Sequence, residues 1–196
     1  MLKTHFILLD AHPQCRSAHT VLLGKKLSYN GQERVLQAAA EYALEVEMSA
    51  SIQDSVNSFF AQEAVKDYEW APSIRVTVQQ QNHLTAASDV LIIVLKRYGI
   101  NKWTGESWKD RRLVDLSRAI TVPVDSMDWE YHLQGIIKHE GDRTDRGHYT
   151  SYTRRGDHWV YSNDSCVKDL ETSELPQGLR RDAYVLFYRY VNRVCG

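Results

Sequence analysis

Six consecutive apolar residues, Val90-Leu91-Ile92-Ile93-Val94-Leu95, constrain this chain more than any other feature. A run of strand length with no polar position reads as a central strand buried on both faces, so it should anchor a covered sheet. Strand patterns surround it. Ile74 to Val78 alternates, and Ile120 to Val122, Tyr131 to His139 and Ala183 to Val191 are further strand-like runs. One helix stands out: Ser51-Ile52-Gln53-Asp54 has the form of a capping box, and Ile52, Val56, Phe59 and Phe60 then share a stripe, which predicts a helix over 52–64. Residues 33–43 suit a helix by propensity, yet Tyr42, Leu44, Val46 and Met48 alternate and favour a strand over 41–48. Phe6 to Leu9 reads equally as a strand or as the end of a helix. Residues 99–118 are polar, punctuated by Gly99 and Gly105, and carry Trp103 and Trp108; an excursion of that length often has a functional task.

The chemistry gathers in one hairpin. Residues 148–154 and 157–163 are rich in Tyr, Thr, Trp and Val and are separated by Arg155-Gly156. With those two residues as the loop, Arg154 faces Asp157, Tyr152 faces Trp159, Thr150 faces Tyr161 and His148 faces Asn163, all on one side of the sheet. A three-residue loop puts Asp164 there instead. In either case an imidazole meets a group that accepts its Nδ1–H and leaves Nε2 free to deprotonate a nucleophile. Two readings stay open on geometry alone: part of a cysteine-protease site, or a surface hairpin whose histidine and asparagine are neighbours.

Composition excludes several classes. The 196 residues are 43% hydrophobic, enough for one domain or one lobe of a larger one, and 24 basic against 25 acidic residues give a net charge of −1. Neither a nucleic acid nor a membrane surface is expected as a partner. Three cysteines, Cys15, Cys166 and Cys195, form no CxxC pair, and His132, His139 and His158 lack a second ligand at i+2 or i+4, so no metal and no cofactor is expected. Arg111-Arg112 and Arg180-Arg181 read as solvated loop charges. The odd cysteine count, the short apolar stretch after Met1 and the lack of an 18-residue apolar run predict an intracellular protein, cytoplasmic or nuclear.

An ordered series of motifs carries a family resemblance: VLIIVLKRYG at 90–99, VPVD at 122–125, YHLQGIIKHEG at 131–141, GHYTSYTR at 147–154, WVYSNDSCV at 159–167 and DAYVLFYRYV at 182–191. Together they resemble the C-terminal part of the catalytic domain of ubiquitin-specific proteases, papain-like deubiquitinases. The resemblance is strongest over 89–192, weaker over 42–63 and slight before 40. It implies an α+β fold: the β-rich palm and degenerate fingers of a papain-like cysteine protease, without most of the thumb lobe, as a single partial domain over residues 1–196. It also implies that His148 is the catalytic histidine, Asn163 the third triad member and Asp164 its assisting neighbour. Segments 99–118 and 140–147 would flank a groove for the ubiquitin tail, lined by Tyr98, Gly147 and Tyr149, with Arg143 and Arg146 near it. The fingers of this family often hold zinc on two CxxC pairs, which this sequence lacks.

The family's nucleophile sits in an NTCYMNS-like box, where a helix N-terminus lowers the thiol pKa. No such box occurs in the sequence. Cys15 has the wrong surroundings, Cys166 would project from the face opposite Asn163 if its strand continued, and Cys195 adjoins the terminus. The resemblance therefore implies a partner, ubiquitin or a ubiquitinated protein, and leaves two expectations. One is a protease fragment that lost its thumb lobe, inactive alone and completed by a chain that supplies it; the other is a pseudoprotease that binds without cutting.

Overall fold

In the computed structural model, residues 20–143, 146–170, 174–176 and 178–194 are described. The Phe6 to Leu9 run, Cys15 and Cys195 lie outside them. Two antiparallel hairpins form the first sheet. Strand β1 (Val21–Tyr29) turns at Asn30-Gly31 into β2 (Gln32–Glu41), and both turn residues have positive φ, +47° and +76°. That conformation is what a tight type I′ hairpin requires and what Asn-Gly supplies. It also overrides the helical propensity of the Ala-rich stretch: folded back on β1, residues 32–41 gain a full ladder of partners. Only β3 (Leu44–Val46) survives of the strand expected over 41–48.

Helix α1 (Ile52–Phe59) starts as its capping box predicts, with Ser51 Oγ accepting from the Asp54 backbone N–H at 3.1 Å. It stops short of residue 64 because β4 (Glu63–Ala71) begins there. Strands β4 and β5 (Ile74–Ala86) complete the first sheet, in the order β2-β1-β5-β4. Its outer part holds a small core of Leu27, Trp70 and Val78. The Arg34 guanidinium lies 3.9 Å from the Trp70 ring centre and donates to the Trp70 carbonyl at 2.6 Å.

The second sheet is larger. It takes β3, β6 (Val90–Leu95), β9 (Ala119–Val124), β10 (Met127–Glu140), β11 (His148–Arg155), β12 (His158–Asn163), β13 (Cys166–Asp169) and β14 (Ala183–Val194). Its order is β13-β12-β11-β10-β14-β6-β3, with β9 also on β10 and only β3 parallel to its neighbour. Between β6 and β9, strands β7 (Tyr98–Ile100) and β8 (Ser107–Lys109) make a hairpin of their own, and a one-turn helix α2 (Leu179–Asp182) leads into β14.

The apolar run is central but covered mainly on one side. Leu91, Ile93 and Leu95 are fully buried, whereas Val90, Ile92 and Val94 are only partly so. The buried side joins Ile52 and Val56 of α1, Val114, Leu116, Ile120, Val122, Leu186 and Tyr188 in the main core. The expectation of two buried faces fails because α1 and the 114–116 segment lie on the same side.

Arg97, just past β6, is buried completely. Its guanidinium donates to the carbonyls of Ala183 (2.6 Å), Asp110 (3.1 Å), Arg112 (2.9 Å) and Arg180 (2.9 Å). One side chain thereby fastens the 98–112 excursion to the start of β14. Burial pulls its pKa below the usual value, and Asp110 and Asp182 oppose that pull.

Candidate active site

His148 opens β11 and Asn163 closes β12, so the hairpin turn alone decides whether they meet. The turn is Gly156-Asp157, with Arg155 opposite His158 and Gly156 at φ +63°. Glycine takes that conformation without strain, and the loop starts one residue later than the pattern suggested. Every pair moves with it: Arg154 faces Trp159, Tyr152 faces Tyr161 and Ser151 faces Ser162. The expected pairs of Tyr152 with Trp159 and Thr150 with Tyr161 are displaced by two residues. A two-residue slip keeps every side chain on its original face, whereas a slip of one would have reversed them. His148 consequently still reaches Asn163, now diagonally, with Nε2 and Oδ1 2.6 Å apart.

The ring nitrogen in that bond differs from the expected one. An amide oxygen only accepts, so Nε2 carries the proton and Nδ1 is left as the free base. Asp164 does not join the pair. It sits exposed in the next turn, with φ +50°, and Asn163 faces Cys166 across that turn. Because the strand reverses there, Cys166 lies on the same side of the sheet as Asn163, contrary to the expectation of the opposite face. It is the free cysteine among the described residues, is exposed, and makes no hydrogen bond to the imidazole.

Next to the pair along β10 and β11, where His139 lies opposite Tyr149 and Glu140 opposite His148, is a second constellation that the sequence reading did not isolate. His139, 1% exposed near the end of β10, bonds through Nδ1 to the Tyr98 hydroxyl. Its ring packs on Tyr149 at 4.5 Å and on Tyr98 at 5.4 Å between centroids. Burial, with the charge of Lys109 second, holds the His139 pKa below the ordinary histidine value, and burial pushes the Tyr98 hydroxyl well up. Lys109, its side chain 1% exposed, donates to the His139 carbonyl at 2.5 Å and to Asp182 Oδ1 at 2.8 Å. Burial works against the Asp182 carboxylate, but Lys109 holds its pKa below the usual range. Arg111 ties the same excursion to Asp142 in the loop before His148 and lies 3.9 Å from Asp182, so it is more than a solvated charge. Lys109 and Asp182 are 73 residues apart in sequence, and no local spacing could have paired them.

Tyr98, Gly147 and Tyr149 do come together. Tyr149 is half exposed beside His139, Tyr98 sits beneath it, and Gly147 passes close over the His139 ring. The other three described histidines meet carboxylates: His83 lies 3.8 Å from Asp125, His132 2.7 Å from Glu130 and His158 3.2 Å from Asp169. Among the described residues no three His, Cys, Asp or Glu side chains converge as metal ligands would.

The sequence profile of one family, described as ubiquitin carboxyl-terminal hydrolase, matches residues 6–188. This chain belongs to the ubiquitin carboxyl-terminal hydrolase family. Curated relatives in that family include ubiquitin carboxyl-terminal hydrolase 25 of Arabidopsis thaliana, 28% identical over 86% of this chain and 26% of its own length. Ubiquitin carboxyl-terminal hydrolase 3 of Saccharomyces cerevisiae is 24% identical over 73% of this chain and 20% of its own. The chain thus spans about a quarter or less of the length of these two relatives. Among solved structures, the SAGA Ubp8/Sgf11/Sus1/Sgf73 DUB module bound to ubiquitin aldehyde superposes with a TM-score of 0.76 over 94% of this chain and 45% of that one, at 20% identity. A SAGA DUB module bound to monoubiquitin gives 0.74 over 92% and 43%, at 21% identity. At such identities the likeness establishes the fold, which is the β-rich, papain-like α+β class of the hydrolase family.

Proposed function

We propose that this chain is the histidine-bearing, tail-receiving part of a thiol-dependent deubiquitinase, and that by itself it binds ubiquitin without hydrolysing it. The observation that carries the reading is the His148–Asn163 bond, which leaves Nδ1 unprotonated on a face where a thiol from another segment could be activated. In a completed site His148 takes the thiol proton, and the thiolate attacks the carbonyl of ubiquitin's terminal glycine. The protonated imidazole then gives its proton to the leaving amine, and water releases the acyl group with His148 again as base. Asn163 holds the ring in one tautomer throughout. Tyr98, Gly147 and Tyr149 form the narrow wall against which a glycine tail lies extended. Asp164, exposed in its turn, assists only through its neighbour.

Family membership supports the reading, as do related modules whose solved structures hold ubiquitin aldehyde or monoubiquitin. Cys166 sits across Asn163 from the histidine and out of bonding reach, so the sulfur must come from elsewhere. Two measurements on the purified chain test this: exposure to ubiquitin bearing a C-terminal thiol-reactive group, and calorimetric titration with plain ubiquitin. Saturable binding without covalent capture is expected. Capture at Cys166 or Cys15 would refute the missing nucleophile, and absence of binding would refute the groove.

A further inference from the structure

His139 has no part in the chemistry just described, yet the protein encloses it with unusual care. It is 1% exposed, its Nδ1 is engaged by Tyr98, its own carbonyl is gripped by the buried Lys109, and Lys109 is in turn held by Asp182. Its Nε2 has no hydrogen-bond partner. A buried polar atom without a partner costs stability and calls for a reason. Here the atom lies against the backbone of Gly147. A Cβ added to Gly147 would sit 2.1 Å from His139 Nε2 and 2.6 Å from the Glu140 carbonyl oxygen, so nothing larger than glycine fits. Gly141, where the chain leaves β10, meets the same ring: its added Cβ would lie 3.1 Å from His139 Cε1. The loop between β10 and β11 therefore leaves and re-enters the sheet over one imidazole edge, and the next residue is His148.

We propose that His139 is a positioning residue for His148: its ring is the fixed floor on which Gly147 rests, and it sets the point at which the chain enters β11. The inference rests on the reading of His148 as the working base. Lys109 and Asp182 hold the floor in place from below, and Tyr98 prevents the ring from turning. Asn163 then fixes the His148 ring from the far side. The His148 imidazole is oriented by Asn163, and its backbone is placed by His139.

Nuclear magnetic resonance of the histidine rings in the full chain tests this. His139→Asn keeps a polar group near Tyr98 but removes the edge beneath Gly147, and Gly147→Ala forces a Cβ onto that edge. In both variants the proton on His148 Nε2 should exchange with water roughly tenfold faster than in the unaltered chain, because local opening no longer has to break the Gly147 contact. Amides of β1 and β5 around Leu27 and Val78 should keep their exchange rates. A residue that served stability alone would shift the melting temperature and leave the His148 proton unchanged, and that result would overturn the proposal.

If neither variant folds, the unaltered chain still decides. The groups facing His139 are Tyr98, Lys109, Tyr149, Asp182 and Tyr184. On acid titration the His148 ring signals should show a second inflection at the His139 midpoint, and a single inflection would overturn the role. Titration with ubiquitin is the separate measure of the groove. If the unaltered chain fails to bind, that reading falls, while the ring measurements still settle what His139 does.

Discussion

Asn163 meets His148 from a position two residues away from where the sequence pattern paired them, and the contact of 2.6 Å survives because a shift of two residues preserves the face of a sheet. The bond is half-buried and locks a tautomer. Asn163→Ala should therefore cost only about 0.5–1.5 kcal/mol of stability. Its larger effect is on the ring, whose nitrogen chemical shifts should change from a single Nε2–H tautomer to a mixture. Shifts that stay as they were would show that the amide does not orient the imidazole.

Arg97 donates to four main-chain carbonyls, the one of Ala183 fully buried and the other three half-buried, and the Arg180 carbonyl also accepts from the Val114 N–H. Arg97→Met removes all four bonds but leaves only the Ala183 acceptor fully buried, so the loss should be about 2–4 kcal/mol. Arg97→Lys should recover little, since an ammonium cannot span the planar fork. Urea unfolding of the three proteins compares them directly.

Lys109 and Asp182 form a buried ion pair that also holds a carbonyl, so the two residues should behave as one unit. A double-mutant cycle with Lys109→Met and Asp182→Asn is expected to give a coupling of about 1–3 kcal/mol. A coupling near zero would mean that each stabilises the fold independently.

Acid should loosen the protein through His139. Burial and then Lys109 hold its pKa in the folded state below the ordinary 6.5. A histidine lowered in this way stabilises the fold fully above about pH 6.5, and the contribution is lost as pH falls through the folded-state value. Between those two points the unfolded chain binds more protons. The urea midpoint should fall over that interval, and in His139→Asn it should fall less.

The capping box at Ser51, the strand at 90–95 and the side of the sheet shared by His148 and Asn163 could all be read from the sequence, because each depends on residues close together or on a strict period. The sequence misled where a single turn decides the outcome. Gly156 could take the left-handed conformation in a loop starting at residue 155 or at 156, and composition does not distinguish them. Asp164 takes a positive φ and reverses the chain, which moves Cys166 to the side of the sheet that an extended strand would have denied it. The helix-forming alanines of β2 yield to Asn30-Gly31. Lys109, Asp182 and Arg97 were invisible as partners because only the completed topology brings them together.

The cluster of Leu27, Trp70 and Val78 stands apart from the main core, although Val21 and Leu84 root the same sheet in that core. A sheet whose far end rests on so small an oily centre is the part expected to loosen first. On warming, the outer hairpins should come undone ahead of the scaffold beneath His148, and a heat-capacity trace should show a small early shoulder before the main peak.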